Sequence, residues 1–254
     1  MRYLILSDIH ANLEALEATL AAAGPYDQAL VLGDLVGYGA DPNAVIDRVR
    51  ALPVAAMVRG NHDKVAAGLD GIDGFNQIAR DAVQWTTAAL TRDNHAWLSA
   101  LPKGPVVLDA TIEICHGTPF DEDMYVFDDL DALRALRSAA RPLCLYGHTH
   151  VPAVFQLTPP EAATGVSATI GLTGPPGRSA RFEVHVEAEC QYLVNCGAIG
   201  QPRDADPRAG YGMVDTDAGG VTMLRVEYDV RAAQRKILAA GLPEMLARRL
   251  AIGR

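Results

Sequence analysis

Short apolar runs that stop at polar side chains recur along the first half of the chain. Residues 3–6 read as a strand and end at Ser7-Asp8-Ile9-His10. Asn12 then stands where a helix N-cap belongs, and Leu13, Leu16 and Leu20 follow at helical spacing until Gly24-Pro25. The pattern repeats: 29–32 is apolar, Gly33-Asp34 breaks it, and 42–52 predicts a helix with Val45, Ile46 and Val49 inward. A third strand, 54–58, runs into Arg59-Gly60-Asn61-His62-Asp63. Strand-loop-helix units in succession predict an α/β sheet whose polar strand ends collect along one edge.

Residues 64–101 turn helical, with Ile78, Val83, Leu90 and Leu98 on the apolar side and Trp85 and Trp97 expected in the core of this insert. Strands follow at 106–108 and 111–115, the second ending at His116; 128–139 predicts a helix, and strand 143–146 ends at Gly147-His148-Thr149-His150. Residues 158–179, rich in Pro, Gly and Thr, break the rhythm as a surface excursion. Strands resume at 182–186, 192–195, 212–214 and 221–228, the last two a hairpin about 217–220, before helices at 231–240 and 243–252. There is no internal repeat, so one domain over 1–254 with two sheets is the economical reading.

Composition narrows the class. Of 254 residues, 49% are hydrophobic and 21% charged, enough for a large core and a wetted surface, which excludes intrinsic disorder. Four cysteines without a CxxC pair argue against a zinc ribbon or a disulfide scaffold and read as reduced, buried hydrophobes of a cytoplasmic protein. No apolar stretch is long enough for a signal-peptide core or a membrane span. A net charge of -9 argues against extended nucleic-acid binding, which needs a positive face.

Five of the seven histidines, His10, His62, His116, His148 and His150, directly follow apolar runs. Asp8, Asp34 and Asn61 stand at the same kind of junction. Each piece alone is open: a capping Asp beside a surface His, a turn, two alternating strand residues. Together they would be buried polar groups each needing its own partner, and a metal cluster supplies one partner for all. Imidazole and carboxylate without thiolate suit Mn, Fe, Co, Ni or Zn.

The ordered series Asp8-x-His10, Gly33-Asp34, Gly60-Asn61-His62-Asp63, His116 and Gly147-His148-Thr149-His150 resembles the signature of the calcineurin-like metallophosphoesterases. That resemblance implies an α-β-β-α sandwich of two mixed sheets with a dimetal site at the carboxyl edge of the strands. It implies one divalent transition-metal ion on Asp8, His10 and His150, a second on Asn61, His116 and His148, and Asp34 bridging. It further implies that a hydroxide shared by the two ions attacks phosphorus, with His62 free of both as general acid or as stabiliser of the leaving group. Asp8 and Asp34 are the only charged ligands, so two divalent ions leave the site slightly positive within a negative protein, which favours small phosphate esters.

Arg59 and Arg203 are weaker candidates for a phosphate contact, since either has carboxylates near it in sequence. The segment 195–203 is similar to the stretch after the last motif in small bacterial and archaeal phosphodiesterase-like members, except at Cys196 and Ala198. The acidic 121–131 segment, with Tyr125 and Phe127, either borders the pocket or is a solvated loop capping the next helix. Protein Ser/Thr phosphatases and their dinucleoside tetraphosphatase relatives read Gly-Asp-x-Val-Asp-Arg-Gly where this chain has Gly33-Asp34-Leu35-Val36-Gly37-Tyr38-Gly39. That departure points to the small phosphodiesterase-like branch, acting on a monoester or a diester. The alternatives are a protein phosphatase or dinucleoside polyphosphate hydrolase, and, in another class, a non-catalytic scaffold that binds a protein partner. Leu246 and Leu250 leave open whether the last helix packs internally or in an oligomer.

Overall fold

Asn12 accepts a hydrogen bond from the Ala15 N–H at 3.1 Å and starts the first helix where the polar-to-apolar change predicts it. The elements run β1 (Arg2–Leu6), α1 (Leu13–Ala22), β2 (Gln28–Val31), α2 (Pro42–Arg50), β3 (Val54–Met57), α3 (Asn61–Ala66), α4 (Gln77–Ala89) and α5 (Arg92–Ser99). They continue β4 (Val106–Val107), β5 (Ile112–Ile114), α6 (Asp129–Ser138), β6 (Leu143–Leu145), β7 (Ala153–Leu157), β8 (Val166–Thr169), β9 (Arg181–His185) and β10 (Gln191–Asn195). Then come β11 (Ala209–Asp215), β12 (Gly220–Val226), α7 (Val230–Ala239) and α8 (Glu244–Leu250). This computed structural model describes residues 1–158, 166–169 and 181–254.

Two mixed sheets form, in the orders β3-β2-β1-β11-β12-β9 and β4-β5-β6-β10-β7-β8. β1, β2 and β3 are parallel, as are β5, β6 and β10, so their carboxyl ends point to a common edge. Alternation along each strand builds the layers. Leu4, Leu6 and Val31 face Leu16 of α1 and Val45 and Ile46 of α2. Tyr3, Ile5, Leu30 and Leu32 face Ile112, Ile114, Leu143, Leu145 and Val194 across the gap between the sheets. Cys144 and Leu193 turn outward onto Ala132, Ala135 and Leu136 of α6. The result is the expected α-β-β-α sandwich.

Several boundaries differ from the sequence expectation. The helical insert begins at Asn61, because α3 starts within the polar Asn61-His62-Asp63 block. β7 and β8 were not anticipated; β7 fills the position between β10 and β8. Apart from Thr158 and β8, the excursion expected over 158–179 lies outside the described residues. β11 is seven residues long where three were expected, since Gly210 and Gly212 dilute its strand pattern. Trp85 and Trp97 are half-buried and pack on two different clusters, and the Arg50 guanidinium lies 5.7 Å from the Trp97 ring centroid. Leu246 and Leu250 are buried within the chain beside α4 and α7. All four cysteines are buried free thiols. Among the described residues no helix is long and apolar enough to cross a membrane.

Candidate metal centre

The loops leaving the parallel strands carry the polar blocks to the shared edge. Asp8 and His10 follow β1, Asp34 follows β2, Asn61 and His62 open α3 after β3, His116 follows β5, and His148 and His150 follow β6. All eight are buried. Asp8, His10, Asp34, His148 and His150 adopt φ of 52°, 49°, 53°, 67° and 60°, the left-handed region that non-glycine residues enter at a cost on the order of 1–3 kcal/mol each. Backbone hydrogen bonds between the loops impose it: the Asp8 N–H donates to Gly33 O, the His10 N–H to Asp34 O, and the Gly147 N–H to His116 O. At Gly60 the backbone passes so close to Asp34 that any Cβ would overlap its carboxylate.

Two groups of ligand-type atoms result, Asp8, His10, Asp34 and His150 in one and Asp34, His116 and His148 in the other, each with its atoms within 4.8 Å of one another. Asn61 Oδ1 lies 3.2 Å from His116 Nε2 and joins the second group. Backbone carbonyls fix the ring tautomers, because a carbonyl only accepts. His10 Nδ1 donates to Val36 O at 3.0 Å, His116 Nδ1 to Leu32 O at 2.7 Å, and His150 Nδ1 to Gln201 O at 2.7 Å, which turns each Nε2 inward. His148 is reversed: its Nε2 donates to Asp123 O at 3.0 Å and leaves Nδ1 for the centre. The Asp8 carboxylate accepts from the Ser7 hydroxyl and the His148 N–H, and Asp34 Oδ1 accepts from the His62 N–H. Asp34 Oδ2 is buried without a hydrogen-bond partner, 3.5 Å from His10 Nε2 and 3.4 Å from His116 Nε2. An orphaned carboxylate oxygen between two imidazole sets is what a pair of bridged divalent ions would satisfy, so the residues fit such a centre.

The protonation pattern agrees. Burial pushes the Asp8 carboxyl up to about 6 against the pull of His116. Burial acts likewise on Asp34, yet His116 and His62 hold its carboxyl well below the usual carboxylate range. Burial disfavours the charged form of His116, but Asp34 and Asp8 overcome it and pull that ring up to about 10. His10 and His150 are driven well below the ordinary histidine value by burial, and His148 to about 3.

The profile of the calcineurin-like phosphoesterase superfamily domain matches residues 1–219. The chain belongs to this superfamily. An uncharacterized protein of Methanocaldococcus jannaschii is 31% identical over 257 residues, spanning 98% of this chain and 97% of its own. The crystal structure of a metallophosphoesterase from Sphaerobacter thermophilus is similar with a TM-score of 0.85 and 39% identity, over 100% of this chain and 99% of that one. A hypothetical protein from Pyrococcus horikoshii, at 19% identity and a TM-score of 0.76 over 100% of this chain and 98% of its own, shares the fold.

Around the centre of this phosphoesterase-superfamily chain, His62 stands apart from the two ligand groups. Its ring lies 4.9 Å from that of His10, 4.4 Å from Tyr38 and 4.6 Å from Phe75, centroid to centroid. Its Nδ1 is buried without a partner and faces Gly37, where an added Cβ would sit 2.5 Å away. Burial pushes this ring down to about 4, with Arg203 and His116 acting the same way against Asp34, so it is neutral near pH 7.

Arg59 and Arg203 have different surroundings. Arg59 is engaged by Glu122 through two hydrogen bonds of 3.0 Å. Arg203 approaches the centre instead, 3.4 Å from the Tyr38 hydroxyl. The acidic segment does two jobs: Asp128 caps α6 through the N–H groups of Leu130 and Asp131, while Glu122 and Asp123 pair with Lys64 and border the centre. Lys64 also pairs with Asp70 at 2.9 Å. Asn195 is buried and donates to Gly147 O at 2.7 Å, and Ala198 is wholly buried, so the segment after β10 braces the last motif. Sequence reasoning missed Asp63, whose carboxylate accepts from the Val36 and Gly60 N–H groups and joins the second loop to the third. Its place at the end of the Gly60-Asn61-His62-Asp63 block was the signal that could have found it.

Proposed function

We propose that this chain hydrolyses small phosphate esters with two divalent transition-metal ions of the Mn, Fe, Co, Ni or Zn type. Asp8, His10 and His150 would hold one ion and Asn61, His116 and His148 the other, with Asp34 shared. The observation that carries this reading is the partnerless Asp34 Oδ2 between His10 Nε2 and His116 Nε2. Such ions supply Lewis-acid charge to phosphate oxygens and lower the pKa of water. The protein's own contribution is orientation. Carbonyl-fixed tautomers hold the imidazoles in place, and the left-handed loops aim them at one point. His62, wedged between Tyr38 and Phe75, would present a neutral ring N–H to the leaving oxygen and stabilise its developing charge. An open cleft of ≈ 390 Å³, lined in part by Asn61, Lys64, Phe75, Tyr125 and His148, adjoins the centre and is sized for a small organic leaving group.

The test is reconstitution. Stripped protein is loaded with Mn, Fe, Co, Ni or Zn and assayed on paired chromogenic monoester and diester substrates, then on cyclic nucleotides and dinucleoside polyphosphates. Turnover in at least one metal form is expected. Metal binding without hydrolysis of any substrate would overturn the reading in favour of a scaffold.

A further inference from the structure

We propose that Arg203, Tyr38 and Tyr125 form a phosphate clamp over the metal centre that selects phosphomonoesters over diesters, an inference that rests on the phosphoester reading above. Arg203 follows β10, and its N–H donates to His150 O at 3.3 Å, which fixes its backbone beside the centre. Its guanidinium is half-buried, with Nη2 3.4 Å from both the Tyr38 hydroxyl and Gln201 Oε1, and Cζ 5.9 Å from the Tyr38 ring centroid. Among the described residues no carboxylate pairs with it. By contrast Arg59 is held by Glu122, Arg208 by Asp206 and Arg225 by Asp204. Contacts of 3.4 Å are at the long limit for hydrogen bonds, so a guanidinium with five N–H groups keeps most of its donor capacity.

The two tyrosines complete the roof. The Tyr38 ring lies 4.7 Å from His10 and 4.4 Å from His62, over one half of the centre. The Tyr125 ring stacks 3.8 Å from His148, over the other half. The Tyr38 hydroxyl, which accepts from Arg203, keeps its own O–H to donate. One cation and two phenols thus border the centre. Tyr38 stands at the position where the phosphatase pattern has arginine, so the clamp supplies from Arg203 a positive charge that the second motif lacks.

Oxygen counting gives the specificity. Two ions can hold two non-bridging phosphate oxygens, and a monoester dianion offers a third, with a second negative charge, to the clamp. A diester places a carbon substituent there and leaves the donors unpaired, the arrangement that discriminates most strongly.

The experiment uses full-length metal-loaded protein and the variants Arg203→Met, Arg203→Lys, Tyr38→Phe and Tyr125→Phe. Metal content is checked first. Inorganic phosphate affinity is measured by calorimetry, and kcat/KM on p-nitrophenyl phosphate and bis(p-nitrophenyl) phosphate. Arg203→Met is expected to keep its metals and lose roughly 10- to 100-fold in phosphate affinity and in monoester kcat/KM, with the diester little changed. Arg203→Lys recovers part of the loss, since it keeps charge without the fork, and each phenylalanine variant loses roughly 3- to 10-fold. Unchanged phosphate affinity in Arg203→Met, or an equal fall on both substrates, overturns the clamp. If Arg203→Met loses metal, phosphate affinity in the two phenylalanine variants decides. A wild type that turns over neither ester would defeat the hydrolase reading, and phosphate affinity would still decide the clamp.

Discussion

The Nε2 atoms of His10 and His150 face each other at 3.1 Å, although each ring already donates its Nδ1 proton to a backbone carbonyl. Two inward lone pairs at that distance repel unless a cation lies between them. A pair of inward-facing acceptors at this spacing is a seat suited to a bound cation. In the presence of chelator, His150→Asn should unfold within a few degrees of the wild type. With saturating metal, at about 100 times Kd, the wild type should gain roughly 2.7 kcal/mol, or about 5–10 °C, and the variant clearly less. Equal metal-induced shifts in the two proteins would remove His150 from the centre.

Metal uptake should release protons. His116 carries a proton up to about pH 10, and the Asp8 carboxyl up to about 6. Near pH 8 one proton per chain is expected to leave on loading, and below pH 6 a second, so metal affinity weakens as pH falls. Calorimetry in buffers of different ionisation enthalpy counts these protons. The same raised His116 stabilises the metal-free fold below about pH 6.5, its ordinary value, and that contribution disappears as pH rises through about 10.

His62→Asn should retain metal while turnover drops by roughly 10²- to 10³-fold. Gly37→Ala tests the same ring from outside. Gly37 has φ of 86°, and its new methyl would press on His62 Nδ1, so kcat should fall with metal content held. Because burial keeps His62 neutral down to about pH 4, the rate profile should show no limb near pH 6.5 from this ring. Full activity in His62→Asn would end its assignment.

Glu122 ties the loop of Tyr125 to α3 through Arg59 and Lys64. Glu122→Gln should lower stability by about 1–3 kcal/mol and loosen the metal at His148, whose Nε2 rests on Asp123 O. Burial works against the Glu122 carboxylate, but Arg59 and Lys64 hold its pKa below the usual value. Its contribution is thus present above about pH 4.3 and lost as pH falls further, so wild type and variant should converge in acid. Chemical denaturation at several pH values checks both parts.

Much of this was legible in the chain. Leu4 and Leu6 alternating with Tyr3 and Ile5 announce a strand covered on both faces, and each such strand ends in Asp, Asn or His. What the sequence could not show depends on contacts between distant segments. β7 was hidden because its pattern is brief and runs directly into the Pro/Gly-rich stretch. The left-handed conformations of Asp8 and His148 are imposed by other loops, and no local spacing signals them. The tautomer of each histidine is set by a carbonyl 25 to 84 residues away for His10, His116, His148 and His150. Arg59 and Arg203 looked alike in sequence; only the fold brings Glu122 to the first and leaves the second beside two tyrosines.

Both proposed ion positions draw on both sheets: Asp8, His10 and Asp34 meet His150, while Asp34 and Asn61 meet His116 and His148. The centre is therefore a rivet through the sandwich. With ions bound, neither sheet could open alone, and amide exchange in β1 and β6 should slow together although the strands lie in different layers. Chelation would leave the sheets joined by the apolar layer between them alone, making the chemistry of the edge a control on the mechanics of the whole domain.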